Sequence, residues 1–82
     1  MAVQRLSVAE HIVRNPHVLG GEPVVRGTRI SVRGVVLASR EYGGVPQAYP
    51  QLTLADVHAA LAFYEAHQAE IERRIRANLD EA

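Results

Sequence analysis

The segment from Gly20 to Ile30 constrains the fold more than any other part of this chain, because its composition is incompatible with a helix. The pair Gly20–Gly21 permits positive φ angles and a sharp reversal, and a proline follows shortly after it. The β-branched pair Val24–Val25 favours extended chain, and Arg26–Gly27–Thr28 indicates a second turn. The segment therefore predicts a small β-hairpin or ribbon within residues 17–30, which must pack on helices or pair with another chain to be stable.

A first helix is expected directly after this ribbon. Ser31 is a good N-cap for a helix from Val32 to about Tyr42, and Gly43–Gly44 would end it because glycine favours the left-handed conformation found after helices. The next segment, Val45–Tyr49, has room for one helical turn at most. These signals predict one helix and, after it, no more than a single turn of a second.

Another helix start lies at Thr53, where Asp56 completes a capping-box pattern. No proline or glycine occurs between this point and Leu79, so the pattern predicts one long helix over that span. Its first part, 54–64, is apolar enough to be core. Its last part, 69–82, carries a narrow apolar seam between charges, which is typical of either a surface extension or a partner-binding arm.

The N-terminal residues 1–14 allow two interpretations. Ser7 and Glu10 match a capping box, whereas His11–Val13 has the composition of a short strand. The fold class that we expect is mainly α, in a single domain. We divide that domain into an N-terminal extended segment (1–30), a helical core (31–64) and a C-terminal helix extension (65–82), which together span residues 1–82.

The chain has 82 residues and no cysteine, so neither disulfides nor thiolate metal sites can stabilise its small core. We expect a homodimer, because the ribbon and the C-terminal helix both have apolar edges without obvious cover inside the chain. No apolar run approaches the roughly 20 residues of a membrane span, and no export signal is visible. We therefore expect a cytoplasmic protein.

Charge is divided unevenly along the chain, although the formal net charge is zero. Residues 1–50 carry six arginines against three glutamates, whereas residues 51–82 carry three arginines against six acidic residues. A basic half and an acidic half can serve two different partners.

Residue types that commonly carry catalysis are present, but not in useful patterns. The four histidines include no pair at ligand spacing on one helix, and the carboxylates of the C-terminal half are spaced as on a solvated helix face. The serines have ordinary roles as helix caps or helix residues. We therefore expect no enzyme activity, no metal and no cofactor.

Arginines concentrate at the second turn and at the helix start that follows it. Arg26, Arg29 and Arg33 converge there with the hydroxyl of Thr28. Guanidinium and backbone N–H groups bind phosphate oxygens well, so this group is a candidate nucleic-acid contact. The alternative is that Arg26 and Arg29 pair with acidic residues of the C-terminal helix, such as Asp56.

Two motifs resemble the family known as "domain of unknown function 433". The segment GGEPVVRGTRISV, residues 20–32, is similar to the family's typical GGKPVIRGTRIPV. The segment YPQLTLADVHAALAFY, residues 49–64, is similar to its YPxLTxEDVxAALxY pattern, and HIVRNPHVLGG, residues 11–21, resembles its IxxDPxVxGG start. The resemblance covers residues 11–67.

The resemblance implies a homeodomain-like, helix-turn-helix core with an N-terminal β element. It also implies an antitoxin role similar to that of VapB proteins, in which the chain neutralises a PIN-like ribonuclease toxin and binds operator DNA to repress its own promoter. The residues that we expect to contact DNA are Arg26, Thr28, Arg29, Arg33 and Arg40. An amphipathic helix is a common way to fill a partner's groove, so the residues that we expect to contact the toxin are Glu65, Ile71, Glu72, Ile75 and Leu79.

Departures from the family pattern bear on DNA binding. Glu22 replaces the usual lysine, Ser31 replaces a proline, and the stretch before Tyr49 is shorter than is usual in the family. The nominal recognition helix carries Asp56 near its start and no arginine or lysine before Arg73. Any DNA contact should therefore come from the arginines of the turn and first helix. The alternative function is an interaction module that binds a partner through its C-terminal helix without binding DNA.

Overall fold

The structure, a computed structural model, describes the backbone of residues 8–80 and the side chains of that range other than Ala9, Leu79 and Asp80. It begins with one helical turn, α1 (Val8–His11), which runs directly into strand β1 (Ile12–Val13). The two interpretations of the N-terminal segment are thus both found, one after the other. The cap predicted at Ser7 lies outside the described residues.

Strand β1 pairs antiparallel with strand β2 (Val24–Val25). The prediction of a ribbon within residues 17–30 is therefore correct for the strand Val24–Val25. It is wrong about the strand that pairs with it, because that strand is β1, which precedes residue 17. The chain at Leu19–Gly21 forms a short 3-10 turn, because Leu19 adopts a φ of +48° and the glycines are also left-handed, which is incompatible with a strand. Beyond the second turn, the returning chain adds a single bridge between Val24 and Ser31.

Helix α2 (Val32–Ser39) begins where predicted. The Ser31 hydroxyl accepts a hydrogen bond from the Gly34 N–H at 2.9 Å and so caps the first turn. The helix ends before the predicted Tyr42, because the Arg40 N–H turns back to the Leu37 carbonyl and tightens the last turn.

A short helix, α3 (Gly44–Ala48), is the single turn that the sequence predicts after α2. Gly43 precedes it with a φ of +90°, a conformation that glycine adopts without strain. The hydroxyl of Tyr49 packs against Gly34 of α2, where an added Cβ would lie 2.7 Å from the phenolic oxygen. This close approach holds the connection after α3 against α2.

Helix α4 (Leu54–Ala66) starts with the predicted capping box. The Thr53 hydroxyl accepts from the Asp56 N–H, and the Asp56 carboxylate accepts from the Thr53 N–H, each at 3.0 Å. The prediction of one helix as far as Leu79 is wrong, because the chain breaks after α4 and resumes as α5 (Gln68–Asp80).

The break between α4 and α5 lies at His67 and arises from its side chain. The His67 ring stacks on Phe63, with centroids 4.0 Å apart, and its Nδ1 lies 3.0 Å from the Phe63 carbonyl oxygen. A continuing helix would need that oxygen for the His67 N–H. The N–H bonds instead to the Tyr64 carbonyl, three residues back, and the helix ends.

Helix α2 packs against α3, α4 and α5, and α4 also contacts α1 and both strands. The fold is mainly helical with a small N-terminal sheet, as predicted. Because α5 contributes buried side chains, it is part of the core and not a separate extension after residue 64. The core cluster comprises Ile12, Val25, Ile30, Val32, Val35, Val36, Ala38, Val45, Ala59, Ala60, Ile71 and Ile75.

Candidate functional site

The turn at residues 25–30 is held rigidly by its own hydrogen bonds. The Thr28 N–H bonds to the Val25 carbonyl at 3.0 Å, and Gly27 has a φ of +78°, as in a type II turn. The Thr28 hydroxyl donates to the same carbonyl at 2.8 Å and accepts from the Ile30 N–H at 3.0 Å. Thr28 was predicted to contact DNA, but its hydroxyl is used within the turn, so its role is to stabilise it.

Arg26 and Arg29 stand on this turn with exposed side chains. The alternative prediction that they pair with Asp56 is wrong, because the Asp56 carboxylate caps α4 and lies 3.9 Å from His11 Nε2. Within the described part of the chain, neither arginine forms an ion pair. The Arg26 N–H bonds to the His11 carbonyl and ties the turn to α1. Two cations are therefore presented on a fixed support.

Arg33, the third predicted phosphate contact, forms an ion pair with Glu22. Its Nε donates to Glu22 at 2.7 Å and its second guanidinium nitrogen donates to the other carboxylate oxygen at 3.3 Å. The side chains are only 20% and 8% exposed, respectively. The glutamate at the position of the family's lysine therefore neutralises Arg33, which is not presented to solvent as Arg26 and Arg29 are.

Arg40 is also engaged, in a network that joins three helices. It donates to Glu72 of α5 at 2.7 Å, and the Tyr64 hydroxyl of α4 donates to the same carboxylate oxygen at 2.7 Å. The hydrogen bond from Arg40 lowers the pKa of Glu72, and the bond to Glu72 raises the pKa of the Tyr64 phenol. Arg40, which was predicted to contact DNA, and Glu72, which was predicted to contact the toxin, therefore cross-link two helices in this structure.

The apolar seam of α5 faces the core and not a partner. Ile71 is 0% exposed and Ile75 is 5% exposed, so both predictions of toxin contact are wrong for this conformation. Glu65 is exposed and accepts a hydrogen bond from Gln68 at 3.2 Å. The side chain of Leu79 lies outside the described residues.

A clamp between Arg14 and Glu70, which no sequence pattern indicates, holds α5 against the N-terminal segment. Arg14 donates two hydrogen bonds to Glu70, at 2.7 and 2.9 Å, and its guanidinium lies 5.6 Å from the centroid of the Phe63 ring. Arg74, one turn further along α5, donates to Glu70 at 3.2 Å. Since Arg14 and Glu70 are far apart in sequence, no local pattern could have linked them.

This clamp makes a testable contribution to acid sensitivity. The hydrogen bonds from Arg14 lower the pKa of Glu70 to about 2 from the usual 4.5. A carboxylate with a depressed pKa stabilises the fold above its unfolded pKa, and that contribution disappears as the pH falls from about 4.5 to about 2. Because the pair is partly exposed, we expect about 1–2 kcal/mol. Urea unfolding of the wild type and Glu70→Gln should therefore differ by this amount at pH 6 and converge near pH 2.

The difference between the two proteins is the quantity to compare, because contributions to the free energy of unfolding that they share cancel in it. Glu65→Gln, at an exposed glutamate that contacts Gln68 and no arginine, is the control and should leave the free energy of unfolding unchanged. A wild-type advantage over Glu70→Gln that is independent of pH would contradict the clamp.

An apolar groove of about 400 Å³ lies between α3 and α4. Val45 of α3, Tyr49 and Leu52 of the connection, and Leu54 and Val57 of α4 are among the residues that line it. Leu54 is 71% exposed. No local pattern in the sequence indicates this groove, because it depends on how α3 is seated against α4.

Among the described residues, no three His, Asp or Glu side chains are grouped as metal ligands, and no helix is long and apolar enough to cross a membrane. A core built on α2, α3 and α4, with α5 packed across it and a two-stranded sheet before it, places the chain in the class of small, mainly helical domains. Residues 12–64 match the family model described as Protein of unknown function (DUF433), and the chain belongs to that family, as the motifs predicted.

Two relatives extend the comparison. The chain is 36% identical over 80 residues to the uncharacterized protein y4eO of Sinorhizobium fredii, a match that covers 93% of this chain and 36% of that protein. It spans only a little more than a third of that relative. It is also similar to the crystal structure of a DUF433 member protein from Anabaena variabilis, with a TM-score of 0.68 and 34% identity over 80% of this chain and 68% of that one.

Proposed function

We propose that this protein is the VapB-like antitoxin component of a toxin–antitoxin system. It neutralises a PIN-like ribonuclease toxin and contacts operator DNA through the turn that carries Arg26 and Arg29. The observation that supports the DNA contact is the pair of exposed guanidinium groups on a hydrogen-bonded turn, neither of which forms an ion pair with another described residue. The toxin contact rests on the family resemblance, and the protein has no catalytic step of its own.

The chemistry of the turn suits phosphate better than base edges. Phosphate contacts position a protein on DNA, and arginines on a rigid support lose little freedom on binding. The exposed side of α4, where a recognition helix would read bases, carries Leu54, Ala55, His58 and Ala62 and no arginine or lysine. We therefore expect DNA binding that depends strongly on salt and weakly on sequence.

Fluorescence anisotropy with DNA from upstream of the protein's own gene tests this contact. Each neutralised phosphate contributes about 0.9 to the slope of log affinity against log salt concentration. The double variant Arg26→Ala/Arg29→Ala should reduce that slope by about 2 and weaken binding at low salt at least tenfold.

The matched control is Arg73→Ala/Arg76→Ala, which removes two exposed arginines from α5. It changes the net charge by the same amount and should retain most of the affinity. Equal losses in the two double variants, or no binding by the wild type at low salt, would reject the turn as the DNA contact.

A second candidate function is an interaction module that does not bind DNA. The exposed side of α4 favours it, because this surface carries Glu65 and no arginine or lysine and therefore does not attract phosphate. Co-expression of the chain with a PIN-like protein encoded by a neighbouring gene tests toxin binding independently of DNA binding. Co-elution on size exclusion and loss of ribonuclease activity are expected. Free toxin with full activity would reject the antitoxin role.

A further inference from the structure

A single residue, His67, joins helix α4 to helix α5. Its backbone has a φ of −135° and a ψ of 38°, whereas an α-helix has values of about −63° and −42°. The helical pattern resumes at once, because the Ile71 N–H bonds to the His67 carbonyl at 3.1 Å. A change centred on one pair of backbone angles would therefore join α4 and α5 into one continuous helix.

The sequence on both sides of His67 suits such a continuous helix. Residues 53–79 contain no glycine or proline, and histidine is tolerated inside helices, so the break depends on the contacts of the His67 ring with Phe63. A continuous helix would also give the first N–H groups of α5 carbonyl partners inside the helix. A heptad-like spacing runs across the break through Val57, Leu61, Tyr64, Gln68, Ile71 and Ile75.

The surface that α5 covers recognises it through both apolar and charged contacts. Helix α5 packs on α2 and α4, and its apolar seam is buried there. Glu70 accepts two hydrogen bonds from Arg14, and Glu72 accepts one from Arg40 at the end of α2. We call the surface that α5 covers, which includes Arg14 and Arg40, the α5-binding face.

A continuous α4–α5 helix would carry α5 away from the α5-binding face of its own chain. Opening would expose Ile71 and Ile75 and leave Arg14 without Glu70, so an open monomer is costly. The α5 of a second copy presents the same isoleucines and glutamates at the same spacing, and it restores each lost contact. The contacts that the chain makes with itself therefore identify the occupant of the vacated face as a second copy.

We propose that two copies of this protein exchange their α5 helices in a domain-swapped dimer. In that dimer α4 and α5 form one helix, and the α5 of each copy lies on the α5-binding face of the other. The contacts of α5 are kept, hydrogen bonds across the former break are added, and the cost is the association of two chains. The dimer therefore depends on concentration. This inference does not depend on the antitoxin role.

The exchange also gives a physical form to the homodimer that the sequence predicted. The apolar edges on which that prediction rested are covered inside the chain, since Val24 and Val25 are 2% and 1% exposed and Ile71 is 0% exposed. Side-by-side association through these residues would require them to leave the core. Exchange of α5 uses the same apolar seam and keeps it buried.

Charge reversal at the clamp distinguishes exchange from every other contact between copies. Arg14→Glu alone and Glu70→Arg alone each place like charges together in a closed monomer and in a side-by-side dimer. In an exchanged dimer with one copy of each variant, the unchanged Glu70 meets the unchanged Arg14, and the two substituted positions meet each other. Both clamps are then complementary.

The experiment mixes the two variants in urea, refolds them together and counts the copies of each by native mass spectrometry. A dimer with one copy of each variant should form, and its dissociation constant should be lower by about tenfold or more than that of either variant alone. A mixture that associates no better than its separate components would overturn the proposal.

Variants of His67 give a second readout on the same exchange. His67→Ala and His67→Gly both remove the ring that stacks on Phe63, but alanine favours a continuous helix and glycine favours the break. Because each dimer contains two such positions, His67→Ala should dimerise at concentrations about tenfold or more below those that His67→Gly requires. Sedimentation measures both. Equal association of the two variants, or a wild type that stays monomeric at every concentration, would contradict exchange.

Discussion

The substitution Ile71→Ala should lower the midpoint of thermal unfolding by more than about 10 °C. Ile71 is 0% exposed and lies in the core cluster. Truncation of a buried isoleucine to alanine costs about 2–5 kcal/mol. In a domain of this size each kcal/mol shifts the midpoint by roughly 4–8 °C. Circular dichroism at 222 nm during heating would measure the shift.

The size of this effect matters because small domains have little stability to lose. Typical domains are stable by about 5–15 kcal/mol, and short chains without disulfides lie toward the lower end. Ile71→Ala should therefore leave a measurable unfolded population near 37 °C. A chain that ends after Ala66 loses both Ile71 and Ile75 and should not fold, although the family model ends at Tyr64.

Arg73→Ala provides the control on the same helix. Arg73 is exposed, and its truncation should change the free energy of unfolding by less than about 0.5 kcal/mol. If Ile71→Ala unfolds at the wild-type temperature and only weakens the binding of a partner, α5 would be the external arm that its sequence indicated. That outcome would contradict its place in the core.

The local signals in the sequence predicted local structure well. Ser31 and Thr53 both cap the helices that they were expected to cap, because capping needs only a side chain and an N–H three residues away. The turn around Gly27 and the short helix before Pro50 were predicted for the same reason. In each case the interacting groups are neighbours along the chain.

Most of the features that the sequence did not predict depend on groups that are distant along the chain. The pattern of α5 located its apolar seam, but the seam alone does not say whether it meets the core or a partner. Its direction follows from the break at His67 and from the pair Arg14–Glu70. The pair Arg14–Glu70 leaves no signal at helical spacing. Phe63 and His67 are four residues apart, but a histidine inside a helical pattern is not a breaker by propensity.

The candidate site shows the same difference between contacts that are local in sequence and contacts between distant residues. Arg26 and Arg29 were predicted from the turn that bears them, and they are exposed. Arg33 and Arg40 were predicted from their closeness in sequence to that turn, but each is held by a carboxylate from another element. The four arginines are close together in the sequence, but the folded structure determines which of them a carboxylate contacts.

Glu22→Ala should destabilise the protein by about 2–4 kcal/mol, because it leaves a mostly buried guanidinium without its carboxylate. The Arg33 side chain is 20% exposed and has its closest contact with Glu22 at 2.7 Å. Urea unfolding of the variant would measure the loss. Glu41→Ala is the matched control, since Glu41 is exposed, and it should change stability by less than about 0.5 kcal/mol.

A double-mutant cycle separates the pair from the packing around it. Adding Arg33→Ala to Glu22→Ala removes the orphaned charge, so the double variant should be more stable than Glu22→Ala alone. The reversed pair, Glu22→Lys with Arg33→Glu, should recover part of the wild-type stability, whereas Glu22→Lys alone places two cations together and should be the least stable. If the family's lysine were tolerated at this position without a change at Arg33, the pair would be incidental. If lysine is not tolerated at position 22, Arg33 is required for the stability of the fold. The arginines that remain accessible to phosphate on the turn are then Arg26 and Arg29.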